Sequence, residues 1–226
     1  MTKMYRGWIG SAVLLAMLQT PAMAGPAEEA NKHVNMAQTT LSNFLRDPNM
    51  TWIQANIGQA KGVLIVPTVV KAGFMVGGSG GRGVLMARGD GGKWNGPAFY
   101  NVSTAEVGFL AGVSSSEVVM LVTTDKGVNA LLSSSMKLGG DASIAAGPTG
   151  QGASGTVTSD IVAFSRAKGV YAGVSMDGSV VKSEDDWNSA YYGKQVLPPQ
   201  ILIKHDVHNK QANKLIKTLE DATRAK

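Results

Sequence analysis

The stretch Gly62-Val63-Leu64-Ile65-Val66-Pro67 decides the fold, because helical periodicity ends before it and strand-like runs follow it. It is apolar, rich in β-branched residues and closed by a proline, which is typical of a short strand. Further runs of this kind, with glycines between them, lie at residues 73–76, 83–88, 98–102, 106–113 and 117–123. Short strands spaced by turn residues predict a largely antiparallel sheet or a barrel.

An amphipathic helix is predicted before the first strand. Pro26 suits the first turn of a helix, and Asp47-Pro48 ends the pattern. Between these points, apolar residues recur at helical spacing, namely Ala30, Val34, Ala37, Leu41 and Phe44. A short second helix is expected over residues 52–60, before the strands begin.

Another amphipathic helix is predicted from about Asp206 onward. Its apolar side carries Ala212, Leu215, Ile216, Leu219 and Ala222, and its opposite side carries Lys210, Lys214, Lys217 and Arg224. The pattern has two interpretations, a docked helix with an ordinary solvated face or an interfacial membrane helix. The expected fold class is therefore α+β, with a glycine-rich antiparallel β-sheet or barrel-like core flanked by N- and C-terminal amphipathic helices.

The composition narrows the possible functions. Glycine is abundant, 28 of 226 residues, which suits strands that approach each other closely. Cysteine is absent, so a disulfide framework, thiolate chemistry and cysteine metal sites are excluded. The formal net charge of +5 permits contact with an anionic lipid surface. It is too low for the dense basic patch of a nucleic-acid binder, so no nucleic-acid partner is predicted.

The first residues have the three parts of a secretory signal peptide. Lys3 and Arg6 precede an apolar run at residues 9–18, and Ala22-Met23-Ala24 follows as a cleavage site. The run is shorter than a bilayer-spanning helix requires, and no cysteine follows it to carry a lipid. We expect cleavage before Gly25 and secretion across the inner membrane. In a Gram-negative source the product would be periplasmic or peripherally membrane-associated.

Two glycine motifs lack the context that their chemistry needs. The stretch Gly78-Ser79-Gly80-Gly81-Arg82-Gly83 has the spacing of a dinucleotide-binding loop, but a strand-like run follows it where a helix should begin. Residues 77–81 also match the spacing around a nucleophilic serine, which needs a strand-turn-helix and a later acid and histidine. No cofactor and no serine nucleophile are predicted from them.

Histidines and aspartates give no clear site. His205 and His208 are close enough to share a metal, but no carboxylate cluster accompanies them, so no metal is predicted. Asp141, Asp160 and Asp177 each have a simple use as a turn or cap residue. A hydrolase that uses Asp141 or Asp160 remains a third functional alternative.

Several stretches together resemble the SYLF lipid-binding domain family, in its bacterial exported form. They are Ala60 to Pro67, Gly73-Phe74, Gly77 to Arg88, Trp94, Pro97 to Tyr100, Ala146-Gly147-Pro148, Ser165 to Gly173, Gly178-Ser179 and Tyr191-Tyr192-Gly193. The expected organisation is a signal peptide at residues 1–24, a helical segment at 25–59, a SYLF-like domain at 60–193, and a C-terminal loop and helix at 194–226.

The resemblance implies a membrane-associating module, since eukaryotic relatives bind phosphoinositides and fungal ones also bind actin. Affinity for lipid or for an envelope surface is the property that transfers to an exported protein, whereas actin binding is not carried over. The segment Gly108-Phe109-Leu110-Ala111-Gly112 departs from the family, in which relatives often place glutamine near Leu110. A polar role of that position is not expected here.

The predicted function is an exported, non-enzymatic module that binds an anionic phospholipid or envelope surface. Lipid binding needs cations for phosphates and an apolar surface for insertion. The candidates are Lys61, Lys71, Arg82, Arg88, Lys168, Leu41, Phe44, Lys210, Lys214 and Lys217. Each has a simpler alternative, core packing for the apolar residues and plain solvation for the cations. An envelope scaffold with a protein partner is the alternative function.

Overall fold

The computed structural model describes residues 25–74, 76–107, 112–167, 170–171 and 176–224. The predicted signal peptide and the Leu110 position lie outside these residues. Six α-helices lie among them: α1 (Pro26–Arg46), α2 (Thr51–Asn56), α3 (Asp125–Leu131), α4 (Asp185–Tyr192), α5 (Pro198–Leu202) and α6 (Asn213–Arg224). Short 3-10 turns occupy Ile57–Gln59, Asp90–Gly92 and Lys210–Ala212. In this part of the chain no helix is long and apolar enough to cross a membrane.

The strands form one sheet. They are β1 (Gly62–Phe74), β2 (Val76–Arg88), β3 (Trp94–Val107), β4 (Gly112–Val122), β5 (Ser135–Lys137), β6 (Ile144–Ala146), β7 (Ile161–Ala167), β8 (Val170–Tyr171) and β9 (Val180–Ser183). Their order is β5-β9-β3-β2-β1-β4-β7-β6, with β8 paired to β7. The pairings are antiparallel apart from that of β6 with β7. The predicted α+β class, a mainly antiparallel sheet with helices at both ends, is confirmed.

The central strands bury both of their faces. Val63 and Ile65 of β1 pack with α1, α2 and α6 on one face of the sheet, here called the α1 face. Leu64 and Val66 point to the opposite face, here called the α5 face, where α3, α5 and β5 cover them. Alternate residues of a strand point to opposite faces, so an unbroken apolar run is the expected sequence of such a strand.

Proline 67 does not end the first strand, contrary to the sequence prediction. Strand β1 continues to Phe74, and its register shifts between Ile65 and Val70 against β2 and between Val66 and Val69 against β4. A bulge at this point tolerates a residue without an N–H group, because the bulged residues leave the ladder. The short strand predicted at residues 73–76 is consequently the end of a long hairpin.

The bulge also requires glycine on the neighbouring strand. A Cβ atom placed on Gly81 would lie 2.2 Å from the carbonyl oxygen of Thr68, a backbone atom of the bulge. A Cβ on Gly83 would lie 3.1 Å from the carbonyl oxygen of Ile65. The glycine-rich run of β2 therefore lets two backbones approach closely, and this explains its composition without any ligand.

Helix α1 is attached to the sheet by its apolar stripe and by a polar cluster. The predicted stripe of Ala30, Val34, Ala37, Leu41 and Phe44 is buried, as expected for a docked amphipathic helix. The cluster joins Glu117 of β4 to Thr40 at 2.7 Å and to Arg166 of β7 at 2.5 Å. Arg166 also lies 3.7 Å from Asp47, just after the helix. The ion pair of Glu117 and Arg166 is half-buried, and Thr40 and Asp47 add further contacts to it. These contacts favour one orientation of α1 on the sheet.

The C-terminal helix starts later than predicted. Residues 206–209 are irregular, and α6 begins at Asn213 after the 3-10 turn. Asn209 caps this turn, because its side-chain oxygen accepts a hydrogen bond from the backbone N–H of Gln211 at 3.0 Å. A capping asparagine favours a helix start at that point over one at Asp206.

Replacing Gly81 by alanine should lower the free energy of unfolding by about 2 to 3 kcal/mol, because the new methyl group meets a backbone oxygen that cannot rotate away. Urea denaturation of the Gly81→Ala variant measures this loss. Gly140→Ala is the matched control, since a Cβ there lies at an ordinary 3.6 Å from Lys137. Equal stability of both variants would contradict the close approach at the bulge.

Candidate functional site

Two of the predicted lipid-binding cations, Lys61 and Arg88, lie side by side at one end of the sheet. Gly62 pairs with Ala87, and just beyond this pair the N–H of Arg88 donates to the carbonyl oxygen of Lys61 at 2.8 Å. Both residues line an open cleft of about 470 Å³. Its volume is within the range of small-ligand sites, and the presence of two predicted cations makes this cleft the first candidate for function.

Lys61 is paired across the cleft with Asp125, the first residue of α3. The ammonium nitrogen lies 2.7 Å from each carboxylate oxygen. The side chains are 43% and 79% exposed, respectively. An exposed ion pair contributes about 0 to 1 kcal/mol, so the contact separates at little cost.

Arg88 is held by backbone carbonyls. Its Nε donates to the carbonyl oxygen of Gly92 at 3.2 Å, and its Nη1 donates to that of Gly58 at 2.5 Å. The residue is half-buried, and among the side chains that the structure describes no carboxylate is paired with it. The cleft therefore contains a positive charge that is oriented but not neutralised by a described partner.

A glycine turn and His205 form another wall of the cleft. Gly89 has no Cβ, and one placed there would lie 2.6 Å from the side-chain nitrogen of Asn95 and 3.2 Å from Nε2 of His205. His205 itself has φ of 58°, a left-handed conformation that is uncommon for residues other than glycine. Close packing against the turn thus places an imidazole, a hydrogen-bond donor or acceptor, at the edge of the cleft.

The other predicted strand cations do not join this site. The Arg82 guanidinium lies 3.7 Å above the ring of Trp187, and its Nη2 is 3.5 Å from Glu184. Lys71 pairs in register with Ser79 and Ser114, in the half of β1 far from Lys61. Lys168 lies outside the described residues. Of the four that the structure describes, it brings together Lys61 and Arg88.

The predicted apolar contacts are core residues. Leu41 and Phe44 of α1 are fully buried, so they present no surface to a membrane in this conformation. In α6 the apolar residues Leu215 and Leu219 are also buried. Helix α6 is thus docked, in line with the first interpretation of its pattern, and insertion of its apolar face into a membrane would require undocking.

The basic side of α6 remains accessible. Lys210, just before the helix, and Lys214 and Lys217 within it are all exposed. Lys217 pairs with Asp221 at 3.1 Å, an exposed contact within the helix. Helix α6 packs against the turn Ile57–Gln59, whose last residue lines the cleft. Helix α6 and the cleft therefore share this turn.

Asp160, the carboxylate considered for a hydrolase, has a structural role. It accepts hydrogen bonds from the Thr124 hydroxyl at 2.7 Å and from the N–H and hydroxyl of Ser143 at 2.9 and 2.8 Å. These bonds, first that of Thr124 and then those of Ser143, hold the pKa of Asp160 far below its usual value. A carboxylate stabilised in its charged form is a weak base, and the bonds of Asp160 join segments distant in sequence where a local turn or cap was predicted.

Asp141 and the histidine pair add no chemistry to the described residues. The Asp141 carboxylate accepts a hydrogen bond from the backbone N–H of Lys137 at 2.7 Å, as expected of a turn residue. No group of three or more histidines and carboxylates that could hold a metal occurs within the described ranges. The cleft at Lys61 and Arg88 is left as the leading candidate.

Sequence reasoning missed two participants of the cleft. Asp125 directly follows Thr124, which caps α3. It is 64 positions from Lys61 in the sequence, so no local pattern predicts their ion pair. His205 was expected to be a plain surface histidine of a terminal helix or the turn leading into it. A local signal for the glycine turn exists in Gly89 and Gly91-Gly92, but it does not reveal the histidine that packs against it.

Comparison with known proteins gives one consistent family. The profile of the Ysc84 family, described as Las17-binding protein actin regulator, matches residues 103–222, from β3 into α6. The bovine (Bos taurus) SH3 domain-containing YSC84-like protein 1 is 30% identical over 172 residues, which cover 74% of this chain and 50% of that protein.

Yeast relatives give similar figures. Protein YSC84 of Saccharomyces cerevisiae is 32% identical over 169 residues, 72% of this chain and 36% of the yeast protein. LAS seventeen-binding protein 3 of Saccharomyces cerevisiae is 32% identical over 151 residues, 64% of this chain and 33% of that protein. The chain spans about half the length of the mammalian relatives and about a third of the yeast ones. The family description and the name of LAS seventeen-binding protein 3 describe binding or regulatory proteins.

Replacing Asp160 by asparagine should destabilise the fold by about 2 kcal/mol at neutral pH, because a hydrogen-bonded charge is lost and an amide NH2 group meets donors. The folded-state pKa is lowered, so the stabilisation exists above the unfolded-state pKa of about 4 and disappears as the pH falls through the folded-state value. Urea unfolding of Asp160→Asn and wild type across pH measures the difference.

The control for this prediction is Asp206→Asn, at an exposed position of the loop after α5. We expect it to be near wild type at every pH. A difference between wild type and Asp160→Asn that stayed constant into strong acid would show that the charge of Asp160 is not responsible.

Proposed function

The chain belongs to the Ysc84 family, the SYLF family of the sequence analysis, and we propose that it is a non-enzymatic module that binds an anionic lipid surface of the cell envelope. The observation that carries the proposal is the exposed row of Lys210, Lys214 and Lys217, and the cleft of Lys61 and Arg88 adds a second basic feature. An exported location is part of the proposal, and so is the absence of a catalytic role.

Electrostatic attraction is the force that this surface supplies. A lysine near an anionic membrane contributes about 1 kcal/mol, and the attraction falls off within a Debye length of roughly 10 Å at 0.1 M salt. Three lysines on the docked helix α6 and the turn before it therefore give a peripheral, reversible and salt-sensitive association. No rearrangement is needed, since Leu215 and Leu219 stay in the core while the lysines face outward.

A protein partner is the second candidate. The relatives are named for binding Las17 and for regulating actin, and these names refer to protein partners of those relatives. In this chain Val70 and Val113 are 46% and 78% exposed. Both lie on one face of the sheet, because Ala72, two residues after Val70, pairs with Val113. An exposed apolar pair suits a protein contact, while actin itself is not the expected partner of an exported protein.

Co-sedimentation of the chain from Gly25 to Lys226 with vesicles tests the lipid proposal. We expect binding to vesicles that contain phosphatidylglycerol, little binding to phosphatidylcholine alone, and a loss of binding as salt rises. The triple variant Lys210→Gln, Lys214→Gln, Lys217→Gln should bind roughly a hundredfold more weakly at low salt, since it removes about 3 kcal/mol of attraction.

The matched control replaces three exposed lysines elsewhere, Lys32, Lys137 and Lys182, by glutamine. It changes the net charge by the same amount, and we expect a much smaller effect. Equal losses in the two triples would assign binding to net charge and not to α6. A folded protein that ignores anionic vesicles at low salt would reject the lipid proposal, and salt-insensitive co-purification with one envelope protein would favour the second candidate.

A further inference from the structure

We propose that the cleft between Lys61 and Arg88 binds a small oxyanion, and that the Asp125 carboxylate competes with this anion for Lys61. The inference deepens the proposed function and rests on it for the source of the ligand, because the phosphate of a lipid head group is such an oxyanion. The cleft itself is argued from its own contacts.

The first argument is the placement of two like charges. Lys61 and Arg88 are neighbours across the β1–β2 ladder, joined by the hydrogen bond from the N–H of Arg88 to the carbonyl oxygen of Lys61. Like charges directly opposite each other on paired strands destabilise a sheet. An anion between them converts this repulsion into attraction, and both side chains line the same cleft.

The second argument is the orientation of Arg88. The carbonyl oxygens of Gly58 and Gly92 accept hydrogen bonds from Nη1 and Nε, which holds the plane of the guanidinium. A guanidinium has five N–H donors in a fork that matches phosphate and carboxylate oxygens. A half-buried cation with no described carboxylate partner is costly unless an anion joins it. Its remaining donors are suited to that anion.

The third argument is that Asp125 occupies the place of an anion but is weakly held. Its position is set by α3, where the Thr124 hydroxyl caps the helix by accepting from the N–H of Gly127 at 3.1 Å. Its contact with Lys61 is solvent-exposed and therefore weak. An oxyanion in the cleft can contact both Lys61 and Arg88, whereas the described ion pair of the Asp125 carboxylate is with Lys61. Asp125 thus acts as a built-in competitor that lowers the affinity of the cleft for small anions.

The cleft has room and further donors for this ligand. Its volume of about 470 Å³ exceeds that of a phosphate group, so part of a head group fits as well. Gln59, Asn129 and His205, residues with polar side chains, also line it. These polar groups can meet the oxygens that the two cations leave free.

Titration of the folded protein with inorganic phosphate, followed by NMR signals of the Gly89 and Gly92 amides, tests the site. We expect Lys61→Gln to weaken phosphate binding about tenfold, since it removes one charged contact. We expect Asp125→Asn to strengthen binding about tenfold, since it removes the competitor. A purely structural role of the Lys61–Asp125 pair predicts no gain in binding from Asp125→Asn. Arg88→Gln is less informative, because it also frees two backbone carbonyls.

Two control variants test whether the expected loss and the expected gain of phosphate affinity come from the cleft and not from net charge. Lys137→Gln and Asp186→Asn make the same charge changes at exposed positions away from the cleft, and we expect both to bind phosphate as wild type does. Phosphate binding that is unchanged in Lys61→Gln, or an affinity that is unchanged or lower in Asp125→Asn, would overturn the proposal.

Vesicles then distinguish the source of the anion. If the ligand is a lipid head group, Asp125→Asn also tightens binding to vesicles that contain phosphatidate, and soluble phosphate competes with that binding. If phosphate binds the cleft but leaves vesicle binding unaffected, the cleft serves a free oxyanion and the site proposal still holds. Vesicle binding that depends on Lys210, Lys214 and Lys217, without any phosphate effect of Lys61→Gln, would reject the cleft while leaving the proposed function intact.

Discussion

Burial of both faces of the central strands is the constraint on which the rest of the structure depends. Val63 and Ile65 are covered by helices on the α1 face, while Leu64 and Val66 are covered on the α5 face. A sheet with two apolar faces is stable only when both are removed from water, at roughly 25 cal/mol per Å² of apolar surface. Helices from both ends of the described chain must therefore dock, and the basic surfaces lie where that docking leaves side chains exposed.

The sequence predicts those parts of the fold whose signal is local. The stripe of α1 from Ala30 to Phe44 and the apolar run from Gly62 to Val66 each carry their own periodicity, and both are observed. Pro67 misleads, because local rules place a strand end at a proline and do not foresee a bulge that is set by two partner strands. The end of β1 is set by its pairing with β2 and β4, which are distant in sequence from Pro67 or beyond the next turn.

In the candidate site too, residue types are predicted from the sequence, whereas their contacts are not. The sequence identifies lysine and arginine candidates, but the partners of those in the strands are distant in sequence. Lys61 pairs with Asp125, whereas Arg82 is bound to Glu184 and Trp187. Which cation is neutralised and which is left available depends on tertiary pairing, and a single sequence carries no record of it. The buried position of Leu41 and Phe44 has the same origin, since periodicity identifies an apolar face but not what covers it.

The bulge in β1 divides one strand into two parts of unequal stability. Before it, Val63 to Val66 are enclosed on both faces; after it, Val70 and Ala72 are exposed, and their partners in β2 and β4 are mostly glycine and serine. Backbone hydrogen bonds with little apolar cover open locally far more often than those of a core. The long hairpin therefore has a base enclosed on both faces, with the cleft at its end, and an outer half whose backbone pairing has little apolar cover.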